Sequence, residues 1–252
     1  MKKACVLFTL LSVSFLQAQV FNSEFVVLKE GAEKDYLAIE EFYQSVNQEL
    51  VAQGKKLGWS VWKMHRPAGA TEMAPHYVIF NVYANEAQRD EKVDYGAIIQ
   101  KVWKGKMPNS KIKKMQTSWE TPRKQTRIYT QKVVDQIPLI GGAFQPGDEI
   151  YFNVMTQKNE DYEQYESKVW KPIVAERVIN MQHRWWVLSK ILDRSEDAYD
   201  GFTHVTWNSS IENAPAVELP QDFKSQKLFE AMTASREMGP EQKATLVYSS
   251  DR

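Results

Sequence analysis

Four histidines carry most of the acid-base capacity near neutral pH in this chain: His65, His76, His183 and His204. No two lie within five residues of each other, and none stands in a His-Glu-x-x-His pattern, so no local spacing builds a metal site and none is expected. His204 is the best candidate acid or base, because the expected strand over residues 202–208 places it on a face with other polar groups. Asn153 and Tyr151, on another expected strand, complete a candidate catalytic set. The competing reading makes His204 an interior histidine whose nitrogens simply find partners. Gly141-Gly142 lacks the strand-to-helix setting and the Lys-Ser/Thr of a phosphate loop, and Ser209-Ser210 has no nucleophile elbow. No motif names a reaction, and no cofactor is expected.

Cys5 is the one cysteine. It falls in a segment that begins Met1-Lys2-Lys3, continues as an apolar run over residues 4–16 and ends Gln17-Ala18-Gln19, the pattern of a secretory signal cut after Ala18. That run is too short for a hydrocarbon core needing roughly 20 apolar residues. The sequence therefore predicts an exported protein, periplasmic or secreted, with residues 1–18 as signal. The remaining chain has no disulfide and no thiolate site, and it spans no membrane. Lys+Arg and Asp+Glu stand at 32 each, and removing Lys2 and Lys3 leaves a small negative balance. Such a balance excludes nucleic acid and anionic membrane as natural partners. With 43% hydrophobic and 25% charged residues, 252 residues suffice for one large or two small globular units.

These side chains must be positioned by a unit that occurs twice. Residues 25–64 realign without a gap on residues 151–190, bringing Asp35-Tyr36 onto Asp161-Tyr162, Glu40 onto Glu166, Trp59 onto Trp185 and Val61 onto Val187. In the first copy the patterning predicts strands at 24–29, 59–64, 76–83 and 126–134. A helix is expected at 33–53, where Tyr36, Ile39, Tyr43, Val46 and Leu50 recur at three- and four-residue steps, and a helix-rich stretch at 85–121. The second copy repeats the order with strands at 149–155, 184–192, 202–208 and 243–249 and helices at 161–179 and 222–236. Pro172 should bend the first of these helices near Val169. The order β-α-β-β-α-β is the split arrangement of a ferredoxin-like fold. The expected division is 19–135 for the first unit, a linker over 136–148 with two prolines and three glycines, and 149–252 for the second.

Alternation along the strands assigns their faces. One largely apolar set, Val26, Leu28, Trp59, Val61, Val78, Phe80 and Val82 with Phe152, Val154, Trp185, Val187, Thr203, Val205 and Trp207, is expected under the helices. The opposite face is mixed, with aromatic residues and a few polar groups. A pocket there would be lined by Trp62, Tyr77, Asn81, Trp186 and Phe202, with Tyr151, Asn153, His204 and Thr206 nearby. Two readings stand for this face: a ligand pocket between the sheets or under the helices, and a sheet-to-sheet interface whose polar groups bond one another or buried water.

The element order, together with Gly58-Trp59-Ser60-Val61-Trp62 and Trp170-Lys171-Pro172-Ile173, resembles the dimeric α/β-barrel superfamily, with two ferredoxin-like units in tandem. The resemblance implies an α+β fold of antiparallel sheets packed into a pseudo-dimeric barrel. It also implies one of several roles: cofactor-free monooxygenase, haem-degrading enzyme, stress-responsive protein or small-molecule binder. Haem-degrading members have an asparagine on the first strand, which Asn153 matches. They also need a tryptophan and a histidine on or near the second helix, and neither 85–121 nor 222–236 contains a histidine. The expected function is binding of an unknown small molecule, with a homodimer allowed. The alternatives are a monooxygenase or isomerase using His204 with Asn153 or Tyr151, and a structural protein without a pocket.

Overall fold

The computed structural model describes residues 19–211 and 213–250, so the expected signal segment with Cys5 lies outside the described residues. Strand β1 (Val20–Leu28) leads through Gly31, at φ +71°, into α1 (Glu33–Ala52). Acidic Glu33 and Asp35 favour the helix N-terminus, and Gly54 at φ +68° stops it. Next come β2 (Gly58–Met64), β3 (Tyr77–Tyr83), α2 (Glu86–Arg89), α3 (Tyr95–Trp103), α4 (Asn109–Thr117) and β4 (Arg123–Ile137). The side chains of Asn85 and Asp94 cap α2 and α3 by accepting from the amides of Gln88 and Ala97. After the irregular crossing 138–148 the order resumes. It runs β5 (Glu149–Gln157), α5 (Tyr162–Tyr165), a π-helical turn (Glu166–Trp170), α6 (Lys171–Ile179), β6 (His183–Arg194), β7 (His204–Ser210), α7 (Phe223–Ala234), β8 (Arg236–Met238) and β9 (Gln242–Ser249).

Eight of the strands close into one antiparallel barrel in the order β4-β1-β3-β2-β9-β5-β7-β6 and back to β4, while the short β8 extends β5. Each half contributes its strands in the sequence fourth, first, third, second. The two seams, β2 with β9 and β4 with β6, pair the second strand of one half with the fourth of the other. Both seams lie within one chain, and closure leaves the eight strands no open edge.

The barrel interior is an apolar cluster that includes Phe21, Trp62, Val78, Phe80, Phe152, Val187, Val205 and Trp207. Outside, α1 covers Val26, Leu28, Trp59, Val61, Tyr77 and Ile79, and the helices of the second half cover Met155, Trp186 and Leu188. This corrects the expected face assignment. Val78, Phe80, Phe152, Val187, Val205 and Trp207, expected under the helices, fill the barrel, as do the partly buried Val82, Val154 and Trp185. Tyr77 and Trp186, expected in the pocket, lie under the helices. The cause is register. Phe25 faces Val78 across β1 and β3, whereas Val26 faces Tyr77, and residues directly opposite share a face. An error of one residue in phase exchanges the two faces of a strand.

The π turn explains the second half. Lys171 donates its amide to the carbonyl of Glu166, five residues back, which accommodates one more residue than an α-helix would. Before this turn the halves correspond at an offset of 126, with Tyr36 and Tyr162 both buried and Glu40 and Glu166 both buried. After it the offset is 127. The pairs Trp59↔Asn81, Ser60↔Phe80 and Trp62↔Val78 recur as Trp186↔Asn208, Val187↔Trp207 and Ser189↔Val205. The spatial counterpart of Trp59 is therefore Trp186, not Trp185. Pro172 begins α6 directly beyond the turn, where its missing amide costs no regular helical bond, so the expected bend takes the form of a π turn.

Candidate functional site

Each half carries a buried Tyr-Glu-Arg set beneath its first helix. Glu40 accepts from Arg123 Nη2 at 2.8 Å, and the Arg123 guanidinium lies 5.7 Å from the centre of the Tyr36 ring. Burial pushes the Glu40 carboxyl up to about 7 against the pull of Arg123. In the second half Glu166, wholly buried, pairs with Arg236, while burial raises the neighbouring Tyr162 hydroxyl. Around this second set the packing opens.

A groove of about 780 Å³ lies against the outer face of β5 and β7. Its strand wall presents Tyr151, Asn153, Met155, Thr206 and Asn208, and its helix wall Trp170, Val174, Phe229 and Met232, with Val217 and Leu219 closing one side. Arg177 holds that side by donating to the carbonyls of Pro215 and Ala216 at 2.8 and 3.4 Å. The first half has Ile79 where the second has Thr206, and there the outer face is an apolar cluster packed on α1.

The groove combines few polar groups with apolar walls, the usual make-up of a small-molecule site. Asn153 donates its amide to the Gly239 carbonyl at 3.1 Å, which leaves its side-chain oxygen as an acceptor. Tyr151 hydrogen-bonds Glu149 at 3.0 Å. At the start of β6, His183 lies 3.1 Å from Ser210 Oγ through Nδ1. Burial, with Arg177 adding repulsion, pulls its imidazole down to about 4. It is therefore neutral at physiological pH, with one ring nitrogen unprotonated.

The other candidate residues are dispersed. His204 is wholly buried outside the barrel beneath α5, with Nδ1 2.8 Å from Thr203 Oγ1, Nε2 3.1 Å from Glu163 and the Tyr162 ring at 4.9 Å. Burial lowers its basicity and Glu163 partly restores it. With both nitrogens engaged and no place on the groove wall, it is not brought to Asn153 or Tyr151. Asn81 bonds Lys56 and Glu24 on the outer face of the first half, and Tyr77 donates to Glu33 at 2.6 Å. Phe202 packs on Tyr129 inside the barrel, where Trp62 also lies. Sequence reasoning missed His183, Glu166 and Arg236. The alignment of Glu166 on Glu40 was a usable signal, since two carboxylates on apolar helix faces each require a cation. Among the described residues no group of three metal-ligating side chains occurs, and no helix is long and apolar enough to cross a membrane.

No protein-family model matches the chain, and no curated protein matches it in sequence. Solved structures match it in shape. A protein of Lactobacillus acidophilus, named provisionally as a monooxygenase, shares 10% identity at a TM-score of 0.53, covering 92% of this chain and 94% of its own. A Fusobacterium nucleatum protein with the same provisional name matches at 10% identity and a TM-score of 0.53, covering 92% of each chain. An anthrone oxidase-like protein follows at 12% identity and a TM-score of 0.49, again covering 92% of each. At such identities the likeness is one of fold: this chain is an α+β protein of the dimeric α/β-barrel type.

Proposed function

We propose that the chain is a fusion of two ferredoxin-like units, 19–135 and 149–252, that is exported after loss of residues 1–18. Its second unit binds a small, partly aromatic, uncharged molecule in the groove beside β5 and β7. The observation that carries this reading is the groove wall itself, in which Asn153, Thr206 and Asn208 offer hydrogen bonds amid Met155, Trp170, Phe229 and Met232. An anionic ligand is disfavoured because the cations at this wall are already engaged and Glu241 adds a carboxylate to it. Arg236 is paired with Glu166, Arg177 with two carbonyls, and His183 is neutral. The recurring Tyr-Glu-Arg set and the repeated strand register support the fusion.

The test uses 1-hydroxypyrene, an uncharged four-ring aromatic with one hydroxyl, followed by its fluorescence, together with native mass spectrometry of protein purified from its own host. Saturable one-to-one uptake, weakened at least ten-fold by Asn153→Leu, is expected. Absence of uptake with a clean apo mass refutes the reading.

A catalytic use of the same groove is favoured by one observation, the neutral His183 imidazole at its wall. This fits the monooxygenase or isomerase alternative, and the provisional names of the two barrel proteins above fit the former. His183→Asn is then expected to keep 1-hydroxypyrene binding and to abolish turnover on an aromatic substrate panel under oxygen. Absence of turnover by the unaltered protein on that panel leaves binding as the function.

A further inference from the structure

A second cavity lies inside the barrel, on the opposite face of the sheet from the groove. It measures about 240 Å³ and is walled by Phe21, Trp62, Phe80, Trp185 and Trp207, with Phe144 across one end. Among the described residues no ionisable side chain lines it; its polar side chains are Gln19, Ser60, Gln136 and Ser249. The indole nitrogens of Trp62 and Trp207 are already spent on Ser60 Oγ at 2.8 Å and Ser189 Oγ at 3.1 Å. What the wall offers an occupant is chiefly aromatic faces and edges.

Phe144 belongs to the crossing between the halves, not to the barrel. Its ring meets Trp62 edge-on at 5.2 Å and Trp185 at 5.7 Å, and the Arg184 guanidinium lies 5.3 Å from its centre. The segment carrying it turns at Gly141, Gly142 and Gly147, each with a positive φ of 78° to 98°. Glycine holds these conformations without strain, so the ring is set over the barrel mouth by three turns that no other residue type would favour.

We propose that the barrel interior is a binding site, separate from the groove, for an uncharged aromatic molecule of one or two rings, with Phe144 as its cover. The size argument is direct. An apolar cavity of roughly 150 Å³ stays dry and takes up benzene, so a cavity of this volume and lining accommodates a larger planar ring system. Bringing a charge into it would strip the hydration from that charge without supplying a counter-ion. Aromatic walls favour edge-to-face and offset contacts with such an occupant.

The experiment is titration of the full exported chain with indole by calorimetry, with indole-3-acetate as the charged comparison. One indole per chain is expected at a site that survives Asn153→Leu, with indole-3-acetate at least ten-fold weaker there. Val82→Phe, which fills the cavity, should weaken indole at least ten-fold, whereas Asn153→Leu in the groove should leave it unchanged. Phe144→Ala should raise the indole off-rate at least ten-fold in stopped flow. The proposal is overturned by absence of saturable indole uptake, by equal affinity for the two probes, or by a folded Val82→Phe protein that binds indole like the parent. Should Val82→Phe not fold, an unchanged off-rate in Phe144→Ala overturns it instead.

Discussion

Gln131 sits wholly buried in the barrel wall and ties β4 to β1, β6 and β7. Its amide nitrogen donates to Ser23 Oγ at 2.6 Å, and its amide oxygen accepts from Ser189 Oγ at 2.6 Å and, at 3.4 Å, from Trp207 Nε1. Replacement by leucine nearly keeps the volume and removes all three bonds. Ser189 is not stranded, because its hydroxyl also lies 3.0 Å from the Val205 carbonyl and accepts from Trp207 Nε1 at 3.1 Å. Ser23 Oγ loses its donor in a site with no exposure. A buried polar group deprived of its partner costs about 1–3 kcal/mol. Gln131→Leu should therefore lower stability by about 2 kcal/mol, a Tm decrease of roughly 4–8 °C at this chain length. Adding Ser23→Ala removes the stranded hydroxyl, and the double variant should return to within about 1 kcal/mol of the parent, since replacing both partners is close to neutral. Urea unfolding followed by circular dichroism, with an unchanged m-value, measures both. A double variant at least as destabilised as Gln131→Leu alone would refute the reasoning and assign the loss to packing around Trp207.

His183 is held neutral in the folded state, with its pKa depressed from 6.5 to about 4. Its contribution is complete above pH 6.5 and is lost as the pH falls toward 4; a 2.5-unit depression amounts to about 3 kcal/mol. Urea midpoints from pH 4 to 7 should show that slope in the parent and its loss in His183→Asn; the comparison between the two is needed because Glu40, raised to about 7, acts in the opposite sense over much of the same range. Arg236→Met leaves the Glu166 carboxylate buried without a cation and should cost about 3–5 kcal/mol, most of it restored by adding Glu166→Gln, as read by the same unfolding curves. Deleting Ser167 removes the residue absorbed by the π turn and leaves Pro172 inside a regular helix, at a cost of about 3 kcal/mol; thermal melts should show Pro172→Ala recovering most of that loss. If the proposed signal is removed, mass spectrometry of protein purified from its own host should place the N-terminus at Gln19.

The positions of most elements were legible in the residues. The apolar spacing of Tyr36, Ile39, Val46 and Leu50 gave α1 within a residue of its ends, and the β-branched and aromatic runs located the eight barrel strands. The short β8 was not legible, because Arg236–Met238 gains strand geometry only by pairing with the end of β5. Of the candidate site, Asn153 and Tyr151 were legible as polar residues on a strand and do line the groove. His183 was not, since nothing in its neighbourhood distinguishes it from His65 or His76 until α6 and β7 enclose it.

What the sequence by itself determined was the order of elements and the likeness of the two halves, because helix and strand periodicity, turn residues and a near-constant spacing are local properties. Which way each strand faces was decided only by the tertiary structure. Side chains alternate with a period of two, so the single residue taken up by the π turn before Pro172 exchanges Trp185 with Trp186 across the sheet. It thereby divides barrel lining from groove wall, a partition fixed by cross-strand register that no single segment contains.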